Sequence, residues 1–254
     1  MSIGFEAWGH VALITIDRPE ARNAIDAAAA RDLEAAIDRL EADDSLWVGV
    51  LTGSPPSFCA GADLRVLESG GLDEITTERG GFAGLVRRER TKPLIAAVVG
   101  AAFAGGFEIV LACDLVVAAA DSRFGLPEVS RALIAGAGGL VRLPTVVPKN
   151  VAMEMALTGL PVDAATAARL GIVNRVVETD EVVDAAIALA QQVGAGAPLA
   201  VQRSRQVLLA AIEQGPEAAW ELSAQGLREM VATEDFTEGP RAFLEKRPPV
   251  WKGC

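Results

Sequence analysis

The chain has 254 residues, 51% of them hydrophobic, and 34 acidic against 23 basic side chains give it a net charge of −11. Such a chain can bury a large core, and its acidic balance argues against a non-specific nucleic-acid surface while leaving room for a local basic patch. One histidine, His10, rules out metal sites built on several histidines, and Cys59, Cys113 and Cys254 lie too far apart for a Cys-x-x-Cys motif or a disulfide framework.

The opening MSIGFEAWGH has no basic region followed by an apolar run, so no signal peptide is expected. Residues 11–17 (VALITID) read as a strand that the proline of RPEARN closes. Asp26 is placed to cap a helix through Glu41, with Leu33, Ile37 and Leu40 on one face. WVGVLTG is a second buried strand, and SPPSFCAGAD a loop that turns into a helix at Asp63. LESGGLDEITTERGG is polar, glycine-flanked and the best candidate for a mobile stretch. KPLIAAVVG is a third strand, followed by the corner GAAFAGG and an apolar helix. LVVAAADSRFGLPEV gives a fourth strand and then a loop.

Beyond Gly138, helical segments at 151–158 and 162–170 surround one more strand at IVNRVVE, and helices alone follow from Glu181. Strands alternating with helices, then helices only, predict an α/β core over residues 1–190 and a helical C-terminal region over 191–254. The uncharged run at residues 93–107 falls short of the ~20 residues that span a bilayer, so a soluble cytoplasmic protein with no membrane partner is expected.

Two corners and two acids carry the chemistry. GAAFAGG lacks the GxGxxG spacing, and no GxxxxGK[ST] occurs, so nucleotide loops of those kinds are excluded. Gly105 and Gly106 leave the amides of a helix N-terminus approachable by an anion or a developing negative charge; close strand-to-helix packing is the plainer reading. FCAGADL repeats the arrangement at Ala60 and Gly61, with Asp63 better suited to capping the next helix than to acid catalysis. Two such corners aimed at one point would form an oxyanion hole. Glu108 and Glu128 sit in apolar surroundings, where an acid is expensive unless paired. Each either meets an arginine, such as Arg123, Arg131 or Arg142, or serves a reaction.

In these stretches the sequence resembles the enoyl-CoA hydratase/isomerase (crotonase) family. The likeness runs through RPEARNA, FCAGADL, GAAFAGGFEIVLACDLVVAAADSRFGLPEV, GAGG and LTGLPVDAATAARLGIVNRVV to TEGPRAFLEKRPPVW. It implies a crotonase-like α/β fold with a core of ββα repeats and a helical C-terminal trimerisation region. It implies an acyl-CoA substrate whose thioester oxygen is held by the amides of Ala60 and Gly105, with Glu108 and Glu128 as the catalytic pair. Gly136 matches a glycine that helps organise the same site. Substrate contacts are implied for Arg22, Gly61, Ala62, Asp63, Leu64 and Arg65, and at the C-terminal end for Phe243 and Lys246. No metal and no separate cofactor are implied, since coenzyme A is part of the substrate; the assembly implied is a homotrimer or homohexamer.

The reaction implied is hydration of a trans-2-enoyl-CoA or dehydration of a 3-hydroxyacyl-CoA. Double-bond isomerisation, a carnitinyl-type dehydration and a non-catalytic acyl-CoA-binding paralogue are the alternatives. Ala135 stands where the family commonly has proline, and Leu126 where some hydratases carry a polar residue. Both departures bear on the acyl group rather than on coenzyme A.

Overall fold

The computed structural model describes residues 2–254, the side chain of Leu67 excepted. The chain opens with β1 (Ile3–Trp8) and β2 (Val11–Ile16), a hairpin, then α1 (Ala27–Ala42) and β3 (Val48–Gly53). The short helix α2 (Leu64–Glu68) and a small hairpin, β4 (Thr76–Thr77) with β5 (Gly81–Phe82), precede β6 (Leu94–Val98), β7 (Ala101–Phe103) and α3 (Gly105–Ala112). Next come β8 (Leu115–Ala119), β9 (Arg123–Gly125), α4 (Gly139–Val146), α5 (Lys149–Thr158), β10 (Val162–Asp163), α6 (Ala164–Arg169) and β11 (Arg175–Val177). Four helices finish the chain: α7 (Val182–Gly194), α8 (Pro198–Glu213), α9 (Pro216–Val231) and α10 (Glu234–Glu245). None of the helices described is by itself long and apolar enough to cross a membrane.

The main sheet has the order β1-β2-β3-β6-β8-β11, antiparallel at β1–β2 and parallel from β2 onward. A second sheet, β10-β9-β7, takes the strand that follows each of β6 and β8. Consecutive strands thus alternate between two sheets before the chain turns helical, which is the ββα repeat. Parallel strands covered on both faces need apolar residues at every position, and the runs supply them. Ala12, Ile14, Ile16, Leu51, Leu94, Ala96 and Val98 face the larger core with α1 and α3. Their neighbours Val11, Leu13, Val50, Ile95 and Ala97 face a second core closed by Val182, Ala186, Leu189 and Ala190 of α7.

Asp26 caps α1, its side chain accepting from the Ala29 amide at 2.8 Å. The polar stretch expected to be mobile holds a helical turn at Leu72–Ile75 and the β4–β5 hairpin. The expected division at 190/191 falls inside α7, which is continuous to Gly194 and buried against the sheet; the separate helical layer begins with α8. Arg205 of α8 ties that layer to the core, donating to the Arg90 carbonyl and to one acid, Asp114. Asp114 Oδ1 accepts from Arg205 Nε of α8 at 2.8 Å, and Oδ2 accepts from Arg90 at 3.1 Å and from the Leu94 amide at 2.8 Å. Arg90 also donates to the Ala112 carbonyl at the end of α3, at 2.7 Å.

Candidate active site

The two glycine corners meet. The stretch after β3 is held on one side by residues 22–25, through Ile25 N to Gly61 O at 2.8 Å and Asp63 N to Ile25 O at 2.9 Å. On the other side Cys59 exchanges hydrogen bonds with Ala101 and Phe103 of β7, at 3.2 and 3.1 Å. A Cβ built on Gly61 would lie 3.0 Å from the amide nitrogen of Gly105, so the start of α3 sits against this corner. Gly106 must be glycine, because a Cβ there would overlap the Cys59 carbonyl. Ahead of them Ala104 adopts φ 51°, ψ −129°, its amide tied to the Gly125 carbonyl at 2.9 Å. A non-glycine residue in such a conformation is strained by about 1–3 kcal/mol, and strain of this kind gathers at functional sites.

The corner amides differ in state. The Gly105 N–H has no hydrogen-bond partner among the described residues, and a Cβ on Gly105 would stand 2.5 Å from the edge of the Phe82 ring. The Ala60 N–H donates to the Arg22 carbonyl at 3.1 Å. Of the amides of Ala60 and Gly105, that of Gly105 alone is unengaged in this conformation.

Glu108, one turn into α3, is 3% exposed, and Glu128, in the helical turn Pro127–Arg131, is 8% exposed. Neither forms an ion pair among the described residues. Arg123 faces Asp163 at 3.9 Å, Arg131 donates to Pro127 O and Ser130, and Arg142 donates to Val86 O. Glu108 Oε1 accepts the Gly139 amide at 2.8 Å, whereas Glu128 Oε2 is buried without a hydrogen-bond partner. Burial pushes the Glu108 carboxyl up to about 7, helped by the negative charge of Glu128 and opposed by the Gly139 and Ala137 amides and Arg142. Burial raises Glu128 as well. An acid poised near neutrality can give or take a proton at working pH.

The match to a family model covers residues 6–254, and that model describes enoyl-CoA hydratase/isomerase. The chain belongs to the enoyl-CoA hydratase/isomerase family. It is 41% identical over 250 residues to a mevalonyl-coenzyme A hydratase of Aspergillus fumigatus, covering 96% of this chain and 92% of that one. It is 40% identical over 251 residues to a carnitinyl-CoA dehydratase of Proteus mirabilis, covering 96% of each. Among solved structures, an enoyl-CoA hydratase from Mycobacterium tuberculosis superposes with a TM-score of 0.95 at 44% identity, covering 100% of this chain and 99% of that one. The fold is the crotonase fold that the sequence implied.

The other residues that the enoyl-CoA hydratase/isomerase resemblance brought forward fall into three groups. Asp63 is buried and structural: Arg65, the Arg65 amide and Arg18 hold its carboxylate down to about 2, and it caps the first turn of α2. Arg65 is spent on that contact, while Arg22 is exposed and in no ion pair among the described residues. Gly61 and Ala62 line the corner, Leu64 points to solvent. Phe243, 84% exposed, lies on α10 and Lys246 caps that helix's C-terminal end; α10 packs against α9 rather than against the glutamates.

Gly136 gives its N–H to the Ile134 carbonyl at 2.8 Å, so the amide on Glu108 is not its own but that of Gly139, three residues on. Gly138, at φ +108°, reverses the chain and presents the free amides of α4 to the carboxyl. Gly139, Phe82 and Ala104 are the site residues that sequence reasoning missed; the GAGG run was the only signal, and it does not say which amide points inward. A separate groove of about 600 Å³, lined by Thr15, Thr52, Ser54, Asp180 and Val183, contains none of these residues.

Proposed function

We propose that the chain is a hydro-lyase that adds water to a trans-2-enoyl-CoA, or removes it from a 3-hydroxyacyl-CoA. The observation that carries this reading is a pair of buried acids, Glu108 and Glu128, free of ion pairs and beside the unengaged amide of Gly105. In hydration Glu108 takes a proton from water as its oxygen bonds to the β-carbon, and electrons move onto the thioester oxygen. The Gly105 amide stabilises that enolate, an effect that a preorganised donor supplies most strongly where charge develops. Ala60 joins it only when its N–H is shared with, or released by, the Arg22 carbonyl. Protonated Glu128 then gives a proton to the α-carbon, and solvent returns the proton of Glu108 to Glu128, closing the balance.

Relatives named for mevalonyl-coenzyme A and carnitinyl-CoA support water chemistry at a substituted β-carbon, and make a specialised acyl group the second reading. Support for a trimer or a pair of trimers comes from apolar side chains that α8–α10 leave in water, Leu208, Ile212, Trp220 and Leu227 among them. Phe243 and Lys246 would then serve a coenzyme A site on a neighbour.

The experiment follows the enoyl absorbance of crotonyl-CoA, then of branched and carnitinyl-type substrates. Glu108→Gln and Glu128→Gln should each lose at least ~100-fold in rate while retaining acyl-CoA affinity by calorimetry. A Glu108→Gln variant that still hydrates normally beside a dead Glu128→Gln would replace this reading with single-base isomerisation.

A further inference from the structure

Arg142, in the first turn of α4, is half-buried and outside the pair of acids and the glycine corners. Its own amide donates to Gly138 O at 2.8 Å, the ordinary bond of the first helical turn, and its side chain lies back over that turn. There the guanidinium fills the space that Gly138 leaves: a Cβ on that residue would collide with Nη1. Nη2 donates to the carbonyl of Val86, a buried residue of the segment that also carries Phe82, whose ring faces Gly105. One planar cation thus spans two walls of the site, the Gly138–Gly139 turn and the Phe82 segment.

We propose that Arg142 is the positioning residue for Glu108, bracing the Gly138–Gly139 turn against Val86 so that the Gly139 amide stays on the carboxyl. A packing role alone does not ask for a charge, since a buried cation without a partner costs several kcal/mol. Arg142 has no carboxylate within 4.0 Å among the described residues. The charged and titratable groups that act on it are Glu213 of α8, Arg90, Glu108 and Cys113. Glu108 in turn faces Glu128 and Arg142, so Arg142 is the cation that opposes burial and like charge at that carboxyl.

The inference rests on Glu108 as a reacting group, and its test is separable from the assigned reaction. The protonated-carboxyl infrared band of Glu108, assigned by its disappearance in Glu108→Gln, is titrated in the wild type, Arg142→Met and Arg142→Lys. Arg142→Met should raise the midpoint by about one pH unit, and Arg142→Lys should hold it near the wild-type value. With crotonyl-CoA at neutral pH, Arg142→Met should lower kcat about 10-fold with KM within about 2-fold, and lysine should restore most of the rate. An unmoved midpoint in folded Arg142→Met, or a lysine variant shifted as far as methionine, overturns the proposal. Arg142→Leu, which also removes both the charge and the donor for Val86, carries the same test should the methionine variant not fold. If the wild type hydrates no enoyl-CoA, the proposed reaction fails while the infrared midpoints still decide the role of Arg142.

Discussion

Replacing Glu108 by glutamine should make the protein more stable, by an amount that grows between pH 4.5 and 7 and then holds. The carboxyl sits at about 7 instead of its ordinary 4.5 because burial disfavours its charged form. Between those two values the folded state binds more protons than the unfolded state. The wild type is therefore at its best below 4.5 and loses stability as the pH rises through 7. At 1.36 kcal/mol per pH unit the full loss is about 3 kcal/mol, an upper figure because some solvent reaches the group. Glutamine keeps an oxygen for the Gly139 amide, which lies 2.8 Å from Oε1, and has no proton to lose. Glu128 titrates in both proteins, and its charge enters the difference through the Glu108 shift that it helps to raise. Urea unfolding at pH 5 and pH 8.5, at one protein concentration, should show Glu108→Gln ahead by about 2–3 kcal/mol at pH 8.5 and nearly level at pH 5. A difference that is the same at both pH values would refute the reasoning.

Gly105→Val places a Cβ 2.5 Å from the Phe82 ring and walls off the amide; the variant should fold with a loss of about 1–3 kcal/mol and no longer bind acyl-CoA. Circular dichroism checks the first part and calorimetry the second, and an unchanged affinity would move the thioester oxygen elsewhere. Light scattering at micromolar concentration should give the mass of a trimer or hexamer, and a monomer mass would remove the neighbour from the coenzyme A site.

The strands β2, β3, β6 and β8 were legible because each is an apolar run buried on both faces, and α1 because Asp26 announces it. Edge strand β1 was not, since Ile3 is its only buried residue, and β7 and β9, three residues each, are too short to show a period. Glu108 and Glu128 stood out as acids in apolar surroundings. Whether Arg142 pairs with either depends on distances across the fold, which local sequence does not carry. The same holds for the amides: Gly136 and Gly139 look alike in GAGG until the backbone angle at Gly138 decides which one reaches the carboxyl.

The salt-bridged Asp114 also sets a timetable. Its partner Arg90 leaves the ribosome before it, but Arg205 follows 91 residues later. At 5–20 residues per second the interval is about 5 to 20 seconds. During that time the nascent core holds an acid with one of its two arginines, at the end of the helix that bears Glu108. The helix that bears Glu108 is thus made well before the arginine that seals it.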